Sequence, residues 1–398
     1  MPPTPPPGVE YGKQRSPLDQ NAVDSYLSKH VANFSAPSEI QQFSFGQSFV
    51  PYLFHCKSSS ELTAAHTRNP TYFVTDATGS RYVLRKKPNG KLVSKTAHAI
   101  EREYQILDCV GKTGKIPVPR MYCLCMDERV LGTPFYVMEY LEGRIFTDVR
   151  MPEIKTKEER TACWKSIVKT LADLHKLKPD EIGLTGFGST KPFYPRQIKS
   201  LARVSKAQAA ITDITTGEAV GDVPDLDFLL DWFSKNCPNG DKWEGGIVHG
   251  DFKCDNMIFH PTEPRVIGVL DWELSTLGHP LSDLANLLQP FYIPQNDIVS
   301  EYLVALRDIS LEDLPIPDAE TLIKTYAEAV GQPYPLPRWS AVTSFAFFRL
   351  SVILQGIAAR TARGQASSAQ AKRVGSYFKP LAVLAIDTIK RSPVNSKL

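Results

Sequence analysis

An α+β fold in two lobes, a small β-rich lobe followed by a larger helical one, is what this sequence predicts. Three observations carry that expectation. Strand-type alternation dominates up to Tyr140, helix-type recurrence takes over after Glu142-Gly143, and the one short hairpin pattern in the second half lies among long helical segments. At 398 residues the chain has room for two lobes around a sizeable core. Composition is ordinary for a globular protein, 42% hydrophobic and 22% charged, with 46 Lys+Arg against 43 Asp+Glu. No long Lys/Arg run or aromatic-interleaved basic patch accompanies that balance, so nucleic acid is not an expected partner.

Residues 1–17 are Pro-rich and are expected to be disordered. Val23, Tyr26, Leu27, Val31 and Phe34 then recur at three- and four-residue steps, the mark of a first amphipathic helix. Strands are expected at 40–45, 49–56, 71–75 and 81–86, with turns at Gly46-Gln47-Ser48 and at 76–80. A helix over 97–110 and strands at 121–126 and 135–140 complete a first lobe spanning 18–141. In the second lobe, 142–390, helices are expected at 157–175, 196–210, 225–236, 281–288, 320–330 and 339–361. Between them 257–260 and 265–270 read as a hairpin, and 391–398 form a tail.

Seven cysteines, at 56, 109, 123, 125, 163, 237 and 254, are odd in number and lack paired metal-type spacing. Reduced thiols in an intracellular chain follow, without zinc or disulfides. Cys123 and Cys125 alternate as residues on one strand face would. No apolar run reaches the ~18 residues of a membrane span, and the N-terminus lacks a signal peptide's charged start and apolar core. Ser396-Lys397-Leu398 spells the address read by the peroxisomal import receptor, so the expected location is the peroxisome, or the cytoplasm if that address is silent.

The chemistry is concentrated in His249-Gly250-Asp251-Phe252-Lys253-Cys254-Asp255-Asn256 and in Asp271-Trp272-Glu273, which follows the apolar run 266–270. Phosphoryl transfer is mostly positioning and charge neutralisation, so its parts can be sought one by one. Asp251 is the acid that would take the acceptor hydroxyl's proton. Asn256 and Asp271 would hold Mg²⁺, with Glu273 as a further ligand, and Lys253 is placed to reach the γ-phosphate. A His-Gly-Asp triplet alone is commonplace. The pointer is the joint pattern, completed by Gly278-His279-Pro280-Leu281-Ser282-Asp283. Asp283 reads as a brace for the loop, and His175 as a satisfied helix histidine. Gly111-Lys112-Thr113-Gly114-Lys115 imitates half a phosphate-binding P-loop, yet Ile106 stands where its first glycine belongs, so a surface loop is expected.

These motifs, with the 135–143 segment and Pro195-Arg196-Gln197, resemble the aminoglycoside phosphotransferase and choline kinase-like superfamily, itself similar to protein kinases. More narrowly, residues 20–385 resemble the kinase-like domain fused to acyl-CoA dehydrogenases and its stand-alone relatives. The resemblance implies a protein kinase-like two-lobed fold that uses ATP and Mg²⁺. It implies that Arg85 grips the α- and β-phosphates where protein kinases have Lys, a departure that puts a fork where a point charge is usual. Alternation sets Val83 and Arg85 on one face and Lys86 on the other. Glu103 would pair with Arg85, with Glu101 as its competitor. Gly46, Gln47 and Ser48 would cover the phosphates through backbone N–H groups, and Glu139 and Leu141 would meet adenine, with Met138 behind it.

The resemblance also implies an acceptor lying between the catalytic loop and the late helices, which makes Arg196, Gln197, Arg349, Gln355 and Arg360 candidates for contact. Arg349 and Arg360 are eleven apart and share a helix face with Val352 and Gly356. Basic residues there suit a carboxylate or a CoA phosphate and repel a polycationic aminoglycoside. Combined with the peroxisomal address and the resemblance to acyl-CoA dehydrogenase-fused domains, that face makes phosphorylation of the hydroxyl of a hydroxy fatty acid or hydroxyacyl-CoA the expected activity, with an acyl-CoA dehydrogenase as a possible partner for the following step. Two alternatives remain: a kinase for another small alcohol in secondary metabolism, and a non-catalytic ATP-binding pseudokinase scaffold.

Overall fold

The computed structural model describes residues 11–12, 17–43, 69–88, 99–189, 191–365 and 369–391. Its first lobe is an antiparallel sheet of six strands in the order β1-β2-β3-β4-β6-β5. These are β1 (Tyr11–Gly12), β2 (Glu39–Phe43), β3 (Thr71–Thr75), β4 (Arg81–Lys86), β5 (Met121–Cys125) and β6 (Phe135–Glu139). The central strands are rich in aromatic and β-branched residues that suit a pleated surface buried on both sides. Period-2 alternation divides them. Tyr72, Val74, Leu84, Phe135 and Val137 pack with Val23 and Leu27 of α1 (Gln20–His30), and Cys123 and Cys125 share that face. Phe73, Val83, Tyr136 and Met138 face the other way, onto Ile106, Leu107 and Val110 of α2 (Ile100–Lys112). Asp19 caps α1 by accepting from the Ala22 N–H at 3.1 Å. The six cysteines among the described residues are all free thiols.

A short helix, α3 (Glu128–Leu131), joins β5 to β6; α4 (Lys157–His175), α5 (Phe193–Ala209) and α6 (Leu226–Asn236) follow. Then come β7 (Gly246–Val248), the hairpin β8 (Met257–Phe259) and β9 (Val266–Val269), and β10 (Thr276–Gly278). Five helices close the lobe: α7 (Leu281–Leu287), α8 (Ala319–Val330), α9 (Trp339–Ala362), α10 (Ala369–Ser376) and α11 (Phe378–Lys390). The expectation that no segment is long and apolar enough for a membrane span needs correcting. Helix α9 meets that test by length and composition, with a mean hydropathy of 1.6, and 61% of that window is buried inside the protein. Phe345, Phe347 and Phe348 carry that hydropathy into the common core with α5, α7 and α11.

The lobes are joined by residues 140–143, and hydrogen bonds fix the junction. Arg144 N–H donates to the Phe259 carbonyl and Phe259 N–H to the Arg144 carbonyl, both at 2.8 Å, which ties the linker to β8. Gly143 is needed there, because a Cβ would strike the Phe259 carbonyl and the Ile258 side chain. On the other side Arg81 pairs with Glu142 and lies over the Tyr140 ring, 4.9 Å from its centroid.

Candidate active site at the lobe junction

Strand β7 ends where the chain must turn sharply, and Gly250 takes φ 88° to do it. A Cβ on Gly250 would sit 2.6 Å from the Leu274 carbonyl oxygen, so both conformation and space demand glycine. Asp283, from the first turn of α7, braces this turn: one carboxylate oxygen accepts the His249 N–H at 2.7 Å and the other the Gly250 N–H at 2.9 Å. The His249 ring completes it. Nδ1 accepts the Asp251 N–H at 3.2 Å and Nε2 lies 2.9 Å from the Leu270 carbonyl, a pair of contacts that requires the neutral Nε2–H tautomer. His175 stands behind the brace, with Nδ1 2.6 Å from the Tyr326 hydroxyl and Nε2 3.4 Å from Asp283. Burial holds its pKa below the ordinary histidine value, so the ring is neutral.

Past the turn, Asn256 Nδ2 donates to the Asp251 backbone carbonyl at 2.8 Å and to its carboxylate at 3.1 Å. The Asn256 Oδ1 atom is buried and has no hydrogen-bond partner among the described residues. Lys253 Nζ lies 3.1 Å from Asp251 Oδ2 and 3.3 Å from Asp255 Oδ2. Burial opposes charge on Asp251, yet the Lys253 ammonium beside it holds its carboxyl below the ordinary value. Asp255 goes the other way, pushed up to about 7 by burial and by the neighbouring Asp251 charge. Its place against Lys253 went unread in the sequence; an acid two residues after that lysine was the available signal.

The β8–β9 hairpin delivers the second acid. Leu270 N–H donates to the Asn256 carbonyl at 2.9 Å, so Asp271, one residue on and in a left-handed conformation at φ 66°, emerges beside Asn256. From the sheet above, Arg85 closes the site with its planar fork. Nη1 lies 2.7 Å from Glu103 Oε1, while Nη2 lies 3.2 Å from Glu273 Oε2 and 3.6 Å from Asp271 Oδ1. Glu101 is exposed and Glu103 buried, which separates the two candidates. Glu273 is held against Arg85.

No group of three or more His, Cys, Asp or Glu that would hold a metal by itself is found among the described residues. Magnesium on a nucleotide needs no such cage, because phosphate and water oxygens fill most of its octahedron. One carboxylate at Asp271 and the orphaned Asn256 Oδ1 fit that requirement.

Of the residues expected to meet adenine, Met138 is buried and Glu139 and Leu141 lead into the linker. Gly46, Gln47 and Ser48 lie outside the described residues. A cavity of about 220 Å³ opens beside Gly250, and its lining includes Gln197, Asp283 and Arg349. Arg349 Nη2 also donates to the Gly250 carbonyl at 2.7 Å. Arg360 is exposed near the end of α9 and Arg196 donates to the Leu277 carbonyl at 3.3 Å; neither lines the cavity. Gln355 is a buried strut between Ser205 and the Gly221 carbonyl, at 2.8 and 2.9 Å.

A sheet lobe over a helical lobe, with a braced acidic loop and a hairpin-borne aspartate at the seam, is a kinase-like architecture. The chain belongs to the phosphotransferase enzyme family, whose model matches residues 62–317. Among solved structures it is similar to the "putative aminoglycoside phosphotransferase" of Ralstonia eutropha, at 33% identity and a TM-score of 0.76 over 94% of this chain and 99% of that one. The fold alone is shared with aminoglycoside phosphotransferase APH(4)-Ia in complex with AMP-PNP and hygromycin B, at 15% identity and a TM-score of 0.54, covering 93% of this chain and 100% of that one. A choline kinase of Cryptosporidium parvum shares it likewise, at 12% and 0.56, over 95% and 99%. Among curated proteins the chain is similar to "Probable acyl-CoA dehydrogenase IBR3" of Arabidopsis thaliana, 36% identical over 95% of this chain and 43% of that protein. Human "Acyl-CoA dehydrogenase family member 11" is 34% identical over 94% of this chain and 44% of its own length. The chain thus spans less than half the length of these curated relatives.

Proposed function

We propose that this protein transfers the γ-phosphoryl group of ATP to a hydroxyl of a small molecule, a hydroxy fatty acid or hydroxyacyl-CoA. The observation that carries the proposal is the convergence of Asp251, Asn256 and Asp271 at the seam, with Arg85 reaching down from the sheet. Asp251 takes the proton of the attacking hydroxyl as its oxygen bonds to phosphorus and the bond to the ADP oxygen breaks. Held below its ordinary pKa, Asp251 is ionised and ready to accept at neutral pH. Lys253 and Arg85 steady charge that moves onto the phosphate oxygens. Asn256 and Asp271 would hold Mg²⁺, which neutralises charge between the β- and γ-phosphates when bound.

The ATP donor is supported by the AMP-PNP complex of a protein with this fold. The acceptor class is supported by the names of the curated relatives and by Arg349 beside the catalytic turn. Phosphorylation would turn a poor leaving group into a good one, preparing elimination by a partner such as an acyl-CoA dehydrogenase. The test is incubation of purified protein with ATP-Mg²⁺ and a panel of hydroxy acids and their CoA esters. Turnover on these is expected, and turnover only on aminoglycosides or choline would overturn the assignment. Peroxisomal import through Ser396-Lys397-Leu398, a segment outside the described residues, is part of the proposal. Removing the tripeptide should leave a fluorescent fusion in the cytoplasm.

A further inference from the structure

Arg349 belongs to α9 and Asp283 to α7, two helices that pack together, and both reach the turn that precedes Asp251. Asp283 holds N–H groups there, those of His249 and Gly250. Arg349 holds a carbonyl instead, with Nη2 donating to the Gly250 oxygen at 2.7 Å. That carbonyl and the Asp251 N–H belong to one peptide unit, and the N–H donates to His249 Nδ1 at 3.2 Å. The peptide plane is therefore anchored at both edges, from within the turn by His249 and from 99 residues along the chain by Arg349.

This peptide needs an anchor more than its neighbours do. Gly250 has no Cβ and sits at φ 88°, a region glycine enters about as readily as its mirror image, so little in the residue itself stops the following peptide from rotating. The plane is flanked by ψ of Gly250 and φ of Asp251, and φ of Asp251 sets how its side chain leaves the backbone. Beyond Asp251 the next carbonyl is already held, by Asn256 Nδ2 at 2.8 Å. Without Arg349 the base would be fixed by the chain after it and only loosely by the chain before it. A misplacement of about 1 Å at a reacting group can lower a rate by about 10²-fold.

We infer that Arg349 is a positioning residue for phosphate transfer: by holding the Gly250 carbonyl it locks the Gly250–Asp251 peptide and so aims the Asp251 carboxylate at the attacking hydroxyl. The inference rests on the phosphotransfer reading, which makes Asp251 the base, and it gives Arg349 a role beyond its place in the cavity wall. An arginine that only bound the acceptor would matter for acceptors carrying an anion. One that aims Asp251 matters for every acceptor, water included.

The test is a double-mutant cycle on ATP-Mg²⁺ turnover by the full chain, with water and with 3-hydroxybutanoyl-CoA as acceptors. It compares wild type, Arg349→Met, Asp251→Asn and the two substitutions together. Methionine keeps an apolar stem and donates nothing, so Arg349→Met should lower kcat by at least about tenfold for both acceptors, with KM for ATP within about twofold. Added to Asp251→Asn it should cost less than about twofold more, because a side chain that acts through the base then has nothing left to aim. Arg349→Lys, a single donor on a long stem, should recover at least about threefold of the loss. If Arg349→Met shows no cooperative melting, Arg349→Gln, too short to reach the carbonyl, takes its place in the cycle. Losses that multiply in the double variant, a loss confined to the CoA ester, or an unchanged kcat would each overturn the inference. Asp251→Asn turning over like wild type, or no turnover by wild type, would sink the phosphotransfer reading instead.

Discussion

Arg85 and Glu103 form an ion pair at 2.7 Å with side chains only 5% and 2% exposed, joining strand β4 to helix α2. Removing one member of such a pair strands a charge out of water, which costs about 3–5 kcal/mol. Arg85→Met should therefore lower stability by about that much in urea unfolding. Arg85→Lys should cost less but should weaken nucleotide binding, because one ammonium cannot reach Glu103, Glu273 and Asp271 together as the fork does. Equal urea midpoints for wild type and Arg85→Met would show that the pair contributes nothing net.

Asp283 makes its two backbone contacts from a side chain that is almost wholly buried. Hydrogen bonds to a charged group contribute about 1.5–3 kcal/mol each. Asp283→Asn keeps one acceptor oxygen and turns the other into a donor facing an N–H. It should lower kcat by about tenfold or more through the displaced turn, with KM for ATP little changed, since Asp283 is not among the groups assigned to the nucleotide. A variant that raised KM for ATP and spared kcat would contradict the brace.

Much of this arrangement can be read before any coordinates. Strands β3 and β4 are legible because alternation over five or six residues beside a Gly-Ser turn has few other readings. Helices α4 and α8 show their caps, Thr156 and Asp318. Strands β7 and β10, three residues each, are too short for a period to register, although they position His249 and Leu277. Asn256 beside Asp251 follows from spacing within one loop, and Asp271 from the hairpin. Arg360 lies outside the lining of the cavity beside Gly250, and helical periodicity tells which face a residue shares but not where along the helix a cavity lies.

Asp76 gives the first lobe a pH-dependent anchor. One oxygen accepts from Thr78 N–H, Thr78 Oγ1 and Ser80 N–H at 2.8, 2.6 and 2.9 Å, and the other from Ser35 N–H at 3.2 Å. Burial opposes ionisation, but these hydrogen bonds outweigh it and hold the carboxyl below its ordinary value. A depressed folded pKa means the contribution is present above the unfolded value, near 3.9, and is lost as pH falls through the folded one. The stability gap between wild type and Asp76→Asn should be about 1–3 kcal/mol at pH 7 and should shrink below about pH 4. A gap that widened on acidification would reverse the sign of this argument.

Asp251→Asn separates an enzyme from a nucleotide-binding scaffold. The amide matches the carboxylate in shape, and Lys253 keeps Asp255 as a partner at 3.3 Å, so the loop should hold its conformation. Arg85, Asn256 and Asp271, the groups assigned to the nucleotide and its metal, are untouched. What disappears is the capacity to accept a proton as the hydroxyl attacks, a contribution of at least about 10² in rate. Phosphate transfer should fall by that factor or more, while titration with a fluorescent ATP analogue in Mg²⁺ gives a Kd within about twofold of wild type. Undiminished transfer would remove Asp251 from the role of base, and a cellular function that survives the substitution intact would place the protein among scaffolds.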